Sequence, residues 1–229
     1  MRMRMKKWAR PELLACPWYA DVPEEARGQW AARFPKNQPL QLELGCGKAV
    51  STAQMALRNP DINYLAVDMS TNVLGVARRN FMAAYGDRPV ENVILTHFDA
   101  MWISRFLSPE DRIGRIYISF CNPWTQRKNQ FKRRLTHPRQ LLQYREFLTP
   151  GGQIWFKTDD ETLFRASLRY FALCGFSLVY QTDDLHHSGF SPNYVSEHEE
   201  MYAAQGVPIR FCIAQMEDLN ELPDLKTVD

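Results

Sequence analysis

The chain reads as an α/β protein, with a mostly parallel sheet of seven strands and helices on both faces. Three observations predict this. The stretch Leu-Gln-Leu-Glu-Leu-Gly-Cys-Gly-Lys at 40–48 alternates apolar and polar residues at the period of a strand and then breaks at two glycines. Helix formers follow at 49–57, which completes a strand, glycine turn and helix. Beyond it, short apolar runs alternate with helical stretches, the pattern of a parallel sheet covered on both sides.

Taken in order, residues 1–39 form an N-terminal extension that mixes basic residues with Trp8, Pro11, Trp18, Tyr19, Pro23, Trp30 and Pro35. Prolines at this density argue against one long helix. Two readings stand side by side. The aromatics pack on the domain, or Arg2, Arg4, Lys6, Lys7 and Arg10 make a basic arm that touches nucleic acid. The domain proper spans 40–216, and 217–229 is a tail. After the strand at 40–44, a buried strand is expected at 64–68 and a helix through 78–85. Further strands are expected at 93–96, 116–120 and 153–157, the last placed after the turn Pro150-Gly151-Gly152. A helix over 161–173 and strands at 176–180 and 209–213 complete the set. An irregular stretch rich in His, Asp and Ser joins the last two strands. No internal repeat, low-complexity tract or interdomain linker interrupts the chain.

Composition narrows the function classes. A length of 229 residues with 45% hydrophobic residues fits one domain with a sizeable core. A net charge of +2 is nearly neutral, so nucleic-acid binding has to come from local clustering of charge. The five cysteines are dispersed, as reduced thiols in a cytoplasm are, and form neither a disulfide framework nor a zinc motif. The basic start leads into no apolar run, so no signal peptide is read there, and no apolar segment reaches membrane-spanning length. His186-His187 lacks a second ligand cluster, so an exposed loop is expected there and no metal. Monomer and homodimer both remain open.

Polar residues close strand after strand, at the end where open sheets bind ligands. Glu43 closes the first, Asp68 the second, Asp99 follows the third, Asn122 the fourth and Asp159 the fifth. Gly45 and Gly47 let the backbone bend and lie against a ligand. A carboxylate just before that turn would repel a pyrophosphate but suits a cationic amino-acid end, such as that of S-adenosylmethionine. Asp68 stands where an acid accepts hydrogen bonds from ribose hydroxyls, and Asp99 where one accepts from an adenine amine. The ordinary alternative for each acid is a helix N-cap.

The second informative stretch is Phe-Cys-Asn-Pro-Trp at 120–124, with Arg127, Lys128, Lys132, Arg133 and Arg134 crowded behind it. Asn-Pro ends a strand in a turn. The basic run is either a solvated helix face or a phosphate-binding surface, and Trp124 either stacks on a base or belongs to the core. Cys46 and Cys121 read as small side chains beside the site, not as nucleophiles.

These pieces together resemble the bacterial tRNA (guanine-N(7)-)-methyltransferase family, from the Arg-Met-Lys-Lys-Trp-Ala-Arg-Pro start to about residue 213. The resemblance rests on Leu-Glu-Leu-Gly-Cys-Gly-Lys at 42–48, Asp99-Ala100 and Phe-Cys-Asn-Pro-Trp at 120–124. It extends through Lys-Arg-Arg-Leu-Thr at 132–136, Phe-Lys-Thr-Asp at 156–159, Ser-Glu-His-Glu at 196–199 and Gly-Val-Pro-Ile at 206–209. It implies the class I methyltransferase (Rossmann-like) fold, S-adenosyl-L-methionine as cofactor, and methylation of guanine nitrogen 7 in the tRNA variable loop. By position it implies cofactor contacts from Glu43, Gly45, Gly47, Asp68, Asp99, Ala100 and Asn122. Gln126, Arg127, Lys128, Lys132, Arg133, Arg134, Asp159, Ser196 and Glu199 would face the tRNA. The family usually has Asp at 122, Lys at 126, Pro at 125, Thr at 196 and Tyr at 198, where this chain has Asn, Gln, Thr, Ser and His. Ala49 stands in place of a common third glycine.

Nitrogen 7 of guanine carries a free lone pair and needs no deprotonation, so the expected chemistry is chiefly positioning, worth roughly 7–11 kcal/mol. On this reading Asn122 positions a reactant, while Asp159, Glu199 and Glu197 supply a negative field for the cationic product. A non-catalytic tRNA-binding protein on the same fold, or a small-molecule methyltransferase, are the alternatives.

Overall fold

A computed structural model describes residues 5–219, 221, 223 and 225. Arg2 and Arg4 of the basic start, and tail positions 220, 222, 224 and 226–229, lie outside the described residues. The fold divides into two units, Met1–Asp111 with Tyr194–Glu197, and Arg112–Asn193 with His198–Asp229.

In the first unit the chain runs through α1 (Ala9–Leu14), β1 (Tyr19–Ala20), β2 (Leu40–Leu44), α2 (Val50–Arg58), β3 (Asn63–Asp68), α3 (Thr71–Tyr85) and β4 (Val93–His97). Its strands lie in the order β1-β4-β3-β2, and each neighbouring pair is parallel. Polar and apolar residues alternate along the strand at 40–44. Yet all five residues of β2 are buried, Gln41 and Glu43 included, so each buried polar group needs a partner. From residue 5 onward the N-terminal extension is folded here. Its helix α1 lies so close to α3 that a Cβ added at Gly75 would stand 2.5 Å from the Ala9 Cβ, a distance only glycine avoids. Trp30 is fully buried and donates its Nε1–H to the Phe106 carbonyl at 2.8 Å. The Arg79 guanidinium lies 3.5 Å from the centre of the Trp8 ring. β1 adds a strand that the sequence pattern did not announce, because two residues are too short to show a period.

In the second unit are β5 (Ile113–Ser119), α4 (Pro138–Phe147), β6 (Leu148–Thr158), α5 (Glu161–Leu173), β7 (Phe176–Thr182) and β8 (Arg210–Met216). β5 and β6 are parallel, whereas β8 runs antiparallel to both β6 and β7. The turn expected at 150–152 lies inside β6. There the pairing jumps from Ile113 opposite Leu148 to Arg115 opposite Gln153, so the Pro-Gly-Gly segment is taken up as an irregularity of the strand. The core is aromatic: Phe156, Phe164, Phe171 and Phe211 are fully buried, each worth roughly 1.5–3 kcal/mol of burial. The stretch between the last two strands, expected to be irregular, contains one short helix, α6 (Glu197–Ala203), which begins on the last residue of the 194–197 segment.

Candidate active site

The parallel pairing of β2, β3 and β4 brings their carboxyl ends to one edge of the first unit, and the predicted acids stand along it. Glu43, 4% exposed, accepts the hydroxyl hydrogen of Thr52, which points back from α2. The turn after it has left-handed backbone at Gly45 (φ 78°) and Gly47 (φ 55°). A Cβ added at either glycine would meet no atom within 4 Å. The turn therefore borders open space, not a neighbouring helix. Ala49 also sits in the left-handed region (φ 55°), where a third glycine would carry no steric penalty.

Asp68, at the end of β3, accepts from Gly47 N–H at 3.1 Å and from Ser70 N–H at 2.9 Å. One carboxylate thus ties the glycine turn to the next strand. Burial pushes its pKa above the ordinary value, and the backbone N–H groups offset part of that rise. Asp99 caps the short 3₁₀ segment Ala100–Arg105 by accepting from Met101 N–H at 2.9 Å, so the capping alternative is realised there. Ala100 is buried beside it. Cys46 is buried, and burial holds its thiol well above the usual range.

In the second unit the chain leaves β5 through a strained turn. Phe120 (φ 53°) and Trp124 (φ 47°) both take left-handed backbone without being glycine. Asn122 accepts from Trp124 N–H at 3.0 Å, so its oxygen is used inside the turn. Phe120 donates its N–H to the Lys157 carbonyl at 2.9 Å, and its ring stacks against His198 and Tyr202. Burial raises the Cys121 thiol to about 12, so it is no thiolate nucleophile at neutral pH.

Gln126, Arg127, Lys128, Lys132 and Arg133 are exposed on the following loop, which includes the 3₁₀ segment Lys128–Arg133. Arg134 is different and corrects the sequence expectation. It is 1% exposed, donates through Nε to the Pro123 carbonyl at 2.8 Å and lies 4.0 Å from the Phe131 ring centre. A guanidinium so enclosed presents nothing to RNA.

Asp159, just past β6, is half-buried. Its carboxylate bonds the Tyr202 hydroxyl, whose pKa is raised first by burial and then by that charge. Its backbone carbonyl accepts from Arg210 at 3.0 Å. Glu199 is a second correction. Expected to face the substrate, it is fully buried and accepts from Lys157 Nζ at 3.0 Å and Asn193 Nδ2 at 2.6 Å, and it bonds His186 Nε2 at 3.0 Å. His186 lies in an exposed turn, as expected, and its ring also reaches Glu199. Ser196 and Glu197 belong to the first unit, where Glu197 pairs with Lys48 at 2.7 Å. Among the described residues no group of three or more His, Cys, Asp or Glu is set to hold a metal ion, and no helix is long and apolar enough to cross a membrane.

A family model described as "Putative methyltransferase" matches residues 37–212. A tRNA (guanine-N(7)-)-methyltransferase of Clostridium beijerinckii is 49% identical over 220 residues, 95% of this chain and 100% of that one. The chain belongs to the tRNA (guanine-N(7)-)-methyltransferase family. A second member, from Acetivibrio thermocellus, is 48% identical and covers 94% of this chain and 99% of its own. The solved 16S rRNA methyltransferase KamB, only 10% identical, superimposes with a TM-score of 0.55 over 94% of this chain and 96% of its own. That likeness fixes the fold alone: the class I methyltransferase fold.

Within this family frame, sequence reasoning gave no role to Lys157, Asn193 and Tyr202 and read His186 only as part of an exposed loop; all four are partners of Glu199 or Asp159. Lys157 left a trace. It is a lysine that closes the run Gln-Ile-Trp-Phe-Lys while still inside β6, and a charge inside a strand calls for a partner.

Proposed function

We propose that this protein transfers the methyl group of S-adenosyl-L-methionine to nitrogen 7 of a guanine in the variable loop of tRNA, in the cytoplasm. One observation carries the reading. The glycine turn of the first unit is open where a ligand would lie and is tied by Asp68, beside the buried Glu43, in a chain 49% identical over 95% of its length to a tRNA (guanine-N(7)-)-methyltransferase. The residues fit the cofactor. Glu43 and Asp68 are acceptors for an ammonium and for ribose hydroxyls, and the two glycines, lacking Cβ atoms, leave room for the amino-acid end.

When bound, the donor supplies an electrophilic methyl group on a sulfonium. The protein's own part is to hold and orient. Gly45, Gly47, Asp68, Asp99 and Ala100 would fix the donor's place. Asn122 and the turn around it would place the guanine, whose N7 lone pair forms the new bond as the carbon–sulfur bond breaks. Asp159 would stabilise the positive charge left on the base. No proton has to move first, so Asn in place of a carboxylate at 122 still suits a positioning role. Exposed Gln126, Arg127, Lys128, Lys132 and Arg133 would contact the RNA, the four cations through its phosphates.

The test is transfer of labelled methyl from S-adenosylmethionine into bulk unmodified tRNA, with the modified base mapped by reduction and aniline cleavage. Cleavage in the variable loop, lost in Asp159→Ala, is the expected result. Salt-dependent tRNA binding without any transfer would leave a binding protein in its place.

A further inference from the structure

The loop between residues 123 and 134 is closed by two adjacent arginines that do opposite things. Arg134 reaches back eleven residues to bond the Pro123 carbonyl at 2.8 Å, while Arg133 sets its guanidinium 5.1 Å from the Trp124 ring centre. The base of this clasp is fixed from behind. Arg134 N–H donates to Phe131, His137 N–H donates to the Arg134 carbonyl at 3.0 Å, and Thr136 bonds Ser167 of α5 at 2.6 Å. Phe120, just before the clasp, and Trp124 within it hold left-handed backbone that other contacts have to maintain. A buried hydrogen bond from a charged donor is one of the few single contacts strong enough for this.

We infer that Arg134 is a positioning residue: through its bond to the Pro123 carbonyl it holds the Asn122–Trp124 turn in its strained, working shape, and its charge takes no part in binding RNA. This rests on the methyl-transfer reading above. The charge run thus divides into four exposed cations for phosphate and one buried arginine for the turn, a division that the string Lys-Arg-Arg does not reveal.

Side-chain geometry supplies the experiment. Nε2 of glutamine lies the same number of bonds from Cα as Nε of arginine, so Arg134→Gln keeps the donor and removes the charge. Arg134→Met keeps the length and removes both. In the full chain with unmodified tRNA, Arg134→Gln is expected to retain kcat within about threefold. Arg134→Met should lose about tenfold or more in kcat, with KM for tRNA nearly unchanged. Neither variant should alter the salt dependence of tRNA binding, whereas Arg133→Gln should flatten it by roughly 0.7–0.9 in log–log slope. Equal losses in both Arg134 variants, with a flatter slope, would overturn the inference and return Arg134 to the phosphate-binding set.

Amide exchange provides a readout without catalysis. Residues 122–133 should exchange faster in Arg134→Met than in Arg134→Gln, and equal rates would also overturn it. If the wild-type protein transfers no methyl, the functional reading fails while exchange still judges the clasp. If Arg134→Met does not fold, Arg134→Gln decides alone through its kcat and salt slope.

Discussion

Two turns in this molecule follow parallel strands and both need left-handed backbone, yet they meet that need differently. After β2, the turn uses Gly45 and Gly47, which adopt φ 78° and 55° without steric penalty, and no side chain fills the space beside them. After β5, the turn uses Phe120 and Trp124 at φ 53° and 47°, each of which carries roughly 1–2 kcal/mol of strain. The second turn keeps its side chains and has to be held. Phe120 packs against the cluster of Leu185, Ile209, Phe211 and Ile213, Asn122 bonds Trp124 N–H, and Arg134 bonds Pro123. The contrast fits the roles proposed for the two turns. An unobstructed backbone suits a ligand that lies along it, whereas an aromatic and an amide set at fixed angles suit a base that has to be aimed.

The largest expected effect comes from removing what supports the second region. Lys157 is 13% exposed and Glu199 not at all, so Lys157→Met takes the lysine charge from a buried carboxylate and leaves it only Asn193 and His186 among these partners. A loss of about 3–5 kcal/mol in denaturant unfolding is expected, partly restored when Glu199→Gln is added. If the single variant unfolds like the wild type, the polar network is not a support.

The first region should respond the other way, in binding more than in stability. Gly47→Val introduces a branched side chain into open space at positive φ. Binding of S-adenosylhomocysteine by calorimetry should fall by about a hundredfold, while the unfolding free energy falls by only about 1–3 kcal/mol. A binding loss no larger than the stability loss would remove the turn from the donor site.

A smaller effect belongs to Asp68. Burial raises its pKa, so ionising it costs the unliganded fold stability. That cost is absent below the ordinary value of 3.8, grows as pH rises through the raised value and is constant above it. Asp68→Asn should therefore unfold no more easily than wild type at pH 7 yet bind S-adenosylhomocysteine more weakly. In the wild type, binding should weaken on acidification with a midpoint above 3.8, and Asp68→Asn should abolish that dependence. An unchanged pH profile in the variant would exclude Asp68 as the titrating group.

Much of this architecture was legible along the chain because strands and helices write their periods locally. All seven expected strands are present within a few residues of their places, and the helix expected at 161–173 is α5, Glu161–Leu173. The acids at the ends of β2 and β3 were legible for the same reason, since a strand's last residue and its turn are neighbours in sequence. Side-chain burial was not. Arg133 and Arg134 are adjacent and chemically identical, yet one is exposed and the other 1% exposed, because the chain turns between them and Pro123 lies eleven residues away.

Local pattern was thus enough for the order of elements, the glycine turn and the row of acids, all of which depend on contacts between near neighbours. Which charge faces water and which holds a turn was settled in folding, when segments distant in sequence came together. The network that joins buried Glu199 to Lys157, His186 and Asn193 is drawn from residues up to 42 apart. Burial depends on what arrives from elsewhere, and no window along the chain contains that.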